Sequence, residues 1–228
     1  EPGFQECDRC QCEYCNRNYR SWLQQKYESL DNLNQSWGTS LWSQPIIGWE
    51  QIFLPSQLNR AKNPASQIDL KRYYSESVMK FLKFQTDIIR PQAPSQFITY
   101  DSSFNCDDVD FFQLGQELNL ASWSSYPTFD AEQMTPGLYS HTSEIPDFVY
   151  DIGDPYITGF FHRWVHGIKH EPFWVMEQQC GQVDFGKINT GIRFGALRLW
   201  TWHAVSCGAE AILFSKWRAA RFTENQFS

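Results

Sequence analysis

No apolar run in this 228-residue chain approaches the ~18–20 residues that a membrane-spanning helix requires. There is no basic cluster either. Nineteen Lys and Arg against 26 Asp and Glu give a net charge of −7. That balance repels phosphate, so neither nucleic acid nor a membrane surface is expected as a partner. The sequence has no short internal repeat and no low-complexity tract, which excludes solenoids and disordered tails. It also has no methionine at position 1. It opens Glu-Pro-Gly, so a stretch of a longer protein is expected, and any signal peptide would lie upstream.

Aromatic residues are abundant: 10 Trp, 10 Tyr and 18 Phe. The length allows one large domain with a substantial core, and so many flat rings suit either that core or a sugar site. Of the seven cysteines, Cys7, Cys10, Cys12 and Cys15 crowd one polar stretch as Cys-x2-Cys-x-Cys-x2-Cys. An odd total with this local crowding reads as a metal site rather than a disulfide framework, and it favours a reducing, cytoplasmic location. Four free surface thiols are the alternative. Cys106, Cys180 and Cys207 stand apart and read as apolar packers.

Residues 16–38 carry Tyr19, Trp22, Leu23, Tyr27, Leu30 and Leu33 at three- and four-residue steps, a helical pattern that Gly38 ends. Residues 43–65 read as loop. A second helix is expected from Ser66 to Ile89, before Pro91. Strand and helix then alternate: strands over 95–101, 119–127, 172–179 and 209–218, helices over 108–118, 155–168 and 191–207, and a long polar loop up to Asp154. This alternation predicts βα units and a parallel sheet. Each strand is apolar until its C-terminal end, where Asp101, then Ser124 and Ser125, then Glu177, then Lys216 and Arg218 appear. In a (β/α)8 barrel that end is the active face. Four strands are too few for closure. The expected fold is therefore α/β, the C-terminal half of a TIM (β/α)8 barrel truncated on its N-terminal side and occupying residues 1–228.

Glu177 follows the apolar run Phe173–Met176. It reads as a helix cap, a solvated loop charge, or a catalytic carboxylate. Retaining glycoside cleavage would need a second carboxyl ~5–5.5 Å away; Asp101, Asp184 and Glu1 are the candidates.

The segments "NYRSWLQQKYESLDNLNQSWGTSLWSQ", "FWVMEQQ", "ALRLWTWHAVSCGAEAILFSKWRAARF" and "CQCEYC" resemble glycoside hydrolase family 42, the β-galactosidases. The likeness runs nearly the whole length in the family's order. It implies that Glu177 is the nucleophile at the end of the seventh barrel strand. Counting back nine residues from Cys10, it implies that Glu1 is the acid/base at the end of the fourth strand. Glu177 would have to be ionised and Glu1 protonated at the outset. The resemblance further implies a structural Zn2+ on Cys10, Cys12 and Cys15 with a fourth, upstream cysteine; Cys7 matches no family ligand, but its Cys-x2-Cys spacing to Cys10 lets it serve as that fourth thiolate in the 7–15 loop. Glycoside cleavage itself needs no metal. A β-galactoside or oligosaccharide is the implied substrate, and a homotrimer the implied full-length assembly.

By the same resemblance Trp42 shapes the sugar pocket, stacking on the C–H face of galactose. Trp123 either lines the sixth-strand end or packs in the core. Several positions depart from the family pattern. Phe185 replaces a Trp, Ser124 an Asp and Asp101 an Asn, while Asn225 and Ser228 stand where a Glu and a His would bind galactose hydroxyls. These departures leave two alternatives open: a β-glycosidase acting on β-arabinosides or modified galactosides, and a non-catalytic carbohydrate-binding protein.

Overall fold

The computed structural model describes residues 10, 12–54, 63–102, 108–138, 146–183, 186, 190–216, 218–219 and 221–222, with no side-chain description at 42 and 135–138. Two units divide the chain: Glu1–Asp87 with Asn105–Asp110, and Ile88–Phe104 with Phe111–Ser228.

The first unit is helical. Helices α1 (Glu13–Tyr27) and α2 (Leu30–Trp37) replace the single helix expected over 16–38. Glu28 takes a left-handed conformation (φ 62°) and Ser29 caps α2 by accepting from Asn32 N at 3.2 Å, so the chain turns between them. Gly38, at φ 64°, closes α2 as foreseen. Helix α3 (Pro64–Gln92) begins in this unit and carries Pro91 in its last turn. The core comprises Tyr19, Leu23, Leu33, Trp37, Ile52, Leu54 and Leu70. At its centre lies Asp69, buried, accepting from Tyr27 Oη at 2.5 Å and Trp37 Nε1 at 2.9 Å and paired with Lys26. Burial alone would raise its carboxyl; the bonds from Lys26, Tyr27 and Trp37 outweigh that and hold it below its ordinary value.

The second unit is the expected βα array. It runs β1 (Asp101–Ser102), α4 (Phe111–Glu117), β2 (Ser122–Ser125), α5 (Pro127–Leu138), α6 (Phe148–Asp151), α7 (Pro155–Lys169), β3 (Phe173–Gln179), α8 (Ala196–Ser206) and β4 (Ala209–Ser215). The strands form one sheet in the order β1-β2-β3-β4, every pairing parallel. The core joins Trp123, Phe173 and Val175 from the strands to Ile157, Phe161 and Val165 of α7 and Ala204 of α8. Each large apolar side chain buried here contributes ~1.5–3 kcal/mol.

Helix α7 has the signals of its type. Asp154 accepts from Tyr156 N at 2.8 Å, Pro155 opens the first turn, and Ile157, Phe161 and Val165 recur at four-residue steps on its buried face.

Two local expectations are corrected. The strand expected over 95–101 pairs in the sheet only at Asp101 and Ser102. Before it, the contact mixes backbone and side chain: Asn119 N donates to Ile98 O at 2.9 Å, Asn119 Oδ1 accepts from Ile98 N at 2.8 Å, and Thr99 Oγ1 donates to Leu120 O at 3.0 Å. The polar stretch expected to be loop up to Asp154 holds α5 and α6.

Candidate active site

Parallel pairing brings the C-terminal strand ends to one edge of the sheet. Asp101 is in register with Ser122, Ser124 with Glu177, and Gln179 with Ser215. A register irregularity between Val175 and Gln178 breaks the regular alternation where Glu177 sits. Glu177 is half-buried, and Tyr126 Oη donates to its Oε2 at 2.6 Å. Burial first, then the bond to Glu177 and its charge, push the Tyr126 hydroxyl far above its ordinary value, so it stays a proton donor throughout the neutral range. One carboxylate oxygen of Glu177 is thus held by a neutral donor. On β1 and β2, Ser124 Oγ donates to the Asp101 carboxylate.

Tyr126 was not among the residues singled out from the sequence. Its only signal is placement: a Tyr-Pro pair where a strand of the parallel sheet ends, with the proline opening the next helix. The pairing with Glu177 spans 51 residues and depends on β2 and β3 being neighbours.

Trp123 is 1% exposed and packs against Phe161 and His162 of α7, so the structure places it in the core, the second of the two positions open to it. Trp42 ends a short 3-10 turn, Thr39–Trp42. Its side chain lies outside the described residues, as do Glu1, Cys7, Asp184, Phe185, Asn225 and Ser228.

In the first unit, the Sγ atoms of Cys10, Cys12 and Cys15 lie within 4.8 Å of one another. Tetrahedral zinc with Zn–S of ~2.3 Å sets sulfurs ~3.8 Å apart, so a small contraction brings these three onto one soft cation. The thiols perturb one another. Burial and the neighbouring Cys10 and Cys12 push Cys15 up to about 12, while bonds to Cys15 and Cys10 lower Cys12. The trio fits a thiolate-bound metal. A separate cavity of about 380 Å³ between α7 and α8 is apolar, lined by residues including Ile152, Leu199, Trp200 and Trp202, and does not include Glu177.

The profile of glycoside hydrolase family 42, described as Beta-galactosidase, matches residues 1–228. The chain belongs to glycoside hydrolase family 42. The Thermus thermophilus β-galactosidase is 35% identical over 231 residues, covering 99% of this chain and 34% of that protein. The solved β-galactosidase of the Antarctic haloarchaeon Halorubrum lacusprofundi superposes with a TM-score of 0.88 at 30% identity, over 100% of this chain and 33% of that one. The enzyme from the psychrophilic Marinomonas ef1 does so at 0.86 and 32% identity, over 99% and 34%. The chain therefore spans about a third of the length of its family 42 relatives, and its parallel sheet matches part of their structures. Among the described residues, no helix is long and apolar enough to cross a membrane.

Proposed function

We propose that the chain is the C-terminal half of the catalytic barrel of a retaining β-galactosidase, with Glu177 as nucleophile and Glu1 as acid/base. The observation that carries this reading is Glu177 at the C-terminal end of β3, with one carboxylate oxygen fixed 2.6 Å from Tyr126 Oη. A nucleophilic carboxylate needs one oxygen oriented and the other free to attack, and a protonated phenol supplies that orientation. The half-barrel reading is supported by the parallel order β1-β2-β3-β4 and by Leu213 and Phe214 of β4, 40% and 47% exposed, which have an apolar surface still to cover.

In the first step the free oxygen of Glu177 attacks the anomeric carbon. The bond to the leaving oxygen breaks, and Glu1 delivers its proton to that oxygen. Glu1 then takes a proton from water, the hydroxide attacks the same carbon, and Glu177 departs with configuration retained. Cys10, Cys12 and Cys15, with Cys7 or an upstream cysteine as fourth thiolate, would hold a structural zinc that staples the loop before α1 and takes no part in either step. The full-length protein would assemble as a homotrimer.

The test is nitrophenol release by the full-length protein from a panel of β-galactosides and β-arabinosides, with Glu177→Gln alongside. Turnover highest on β-galactoside and lost in Glu177→Gln is expected. A preference for β-arabinoside would leave the chemistry and change the substrate; a folded protein with no turnover on any β-glycoside would favour a carbohydrate-binding role.

A further inference from the structure

The bond between Tyr126 and Glu177 has a companion. Two positions further along each segment, Thr128 meets Gln179 across the same spacing of 51 residues. Thr128 N and Oγ1 each lie 3.1 Å from Gln179 Oε1, and Gln179 Nε2 donates to Thr128 Oγ1 at 2.7 Å and to Gly181 O at 2.8 Å. The Gln179 amide thereby uses both donors and both acceptor positions, at 1% exposure. Its neighbour Gln178 is equally buried, yet neither polar atom of its side chain has a hydrogen-bond partner among the described residues.

Tyr126 is held from behind as well. Its N–H donates to Asp130 Oδ2 at 3.3 Å, and its carbonyl accepts from Asp130 N at 2.8 Å, which ties the Tyr126 peptide to the first turn of α5. Whatever fixes that turn against β3 therefore also sets where the Tyr126 ring begins. The side chain that bridges the two is Gln179.

We infer that Gln179, through Thr128, is a positioning residue for the nucleophile: it locks the first turn of α5 to the end of β3 so that the Tyr126 hydroxyl meets Glu177. This rests on the reading of Glu177 as the nucleophile. It adds a role for a residue that touches neither substrate nor the reacting atoms. A displacement of about 1 Å at a catalytic group costs ~100-fold in rate, so a truncation at 179 is expected to act on turnover rather than on binding.

The experiment uses the full-length protein and nitrophenyl β-galactoside, comparing Gln179→Ala, Tyr126→Phe, the double variant, Thr128→Val and Thr128→Ser. Gln179→Ala is expected to lower kcat ~10–100-fold with KM within ~2-fold. The double variant should be no worse than its poorer single parent, because both changes break the same contact. Thr128→Val should lose part of the rate and Thr128→Ser retain it. A crystal structure of Gln179→Ala should show Tyr126 Oη beyond ~3.5 Å from Glu177. Losses that multiply in the double variant would overturn the inference, as would an effect confined to KM or an unchanged Tyr126–Glu177 distance. If Gln179→Ala does not fold, the two Thr128 variants carry the same test, and equal kcat in both would overturn it. Glu177→Gln is the control. Activity surviving there would sink the nucleophile reading itself, whereas its loss beside an unaffected Gln179→Ala would sink only the positioning role.

Discussion

Ser124 of β2 shares its hydroxyl between the two carboxylate oxygens of Asp101 on β1, at 2.9 and 2.8 Å. The family resemblance leads one to expect an Asp at the first position and an Asn at the second, and in this chain the two positions touch. Ser124→Asp alone would set two carboxylates against each other, a like-charge contact that is destabilising. We expect that variant to lose ~1–2 kcal/mol in urea unfolding at pH 7, and Ser124→Asp with Asp101→Asn to recover most of it. Additive losses in the double variant would show that the two positions act independently.

Tyr126→Phe removes a single donor to a charged acceptor. Such a bond is worth ~1.5–3 kcal/mol, which corresponds to a ~10–100-fold loss in kcat/KM. Because burial and the Glu177 charge both raise the Tyr126 hydroxyl, its deprotonation should add no alkaline limb to the wild-type pH profile below pH 10. Rate profiles of the two proteins from pH 5 to 10 check both points.

His162 of α7 is buried, neither ring nitrogen has a hydrogen-bond partner among the described residues, and the rings of Trp123, Phe173 and His203 lie around it. Burial, followed by repulsion from His203, holds it down to about 3. In the unfolded chain it titrates near ~6.5. Above that pH it is neutral in both states and its stabilisation is complete. Between about 6.5 and 3 the unfolded chain binds a proton that the folded one does not, so stability falls as pH falls, by up to ~1.4 kcal/mol per pH unit from this group. His162→Leu should therefore lose ~2 kcal/mol less than wild type on going from pH 8 to pH 5. Urea titrations at the two pH values measure it; parallel losses would mean that His162 does not titrate on unfolding.

The cysteine trio carries a metal prediction. Zinc is expected at one ion per chain in the full-length protein, and Cys15→Ser should lose most of it. Removing the ion with a chelator should lower Tm by roughly 5–10 °C while leaving kcat of the still-folded protein within ~2-fold. Metal analysis and thermal melts decide it, and an unchanged Tm with zinc absent would return these residues to free thiols.

Much of this was legible in the chain because the signals were local. The run "FWVMEQQ" reads as a strand ending in polar groups and forms β3 over Phe173–Gln179. Asp154-Pro155 announces α7, and Gly38 ends α2. Helix α5 was hidden because Pro136 and Gly137 lie within it, residues that ordinarily punctuate loops. The break at Glu28 was hidden because the three- and four-residue apolar spacing continues across it. At the site, Glu177 was visible as a carboxylate ending an apolar strand, but Tyr126 and Gln179 were not. What gives them meaning is contact across 51 residues, between two strands whose adjacency no local pattern encodes.

The most direct test of the central claim is azide rescue of Glu177→Ala in the full-length protein. If Glu177 is the nucleophile, the variant is inactive on nitrophenyl β-galactoside, and azide, entering from the vacated face, restores turnover and yields α-galactosyl azide. Wild type should release galactose first as the β-anomer. Unrescued inactivity with an inverted wild-type product, or undiminished turnover in Glu177→Ala, would contradict the account.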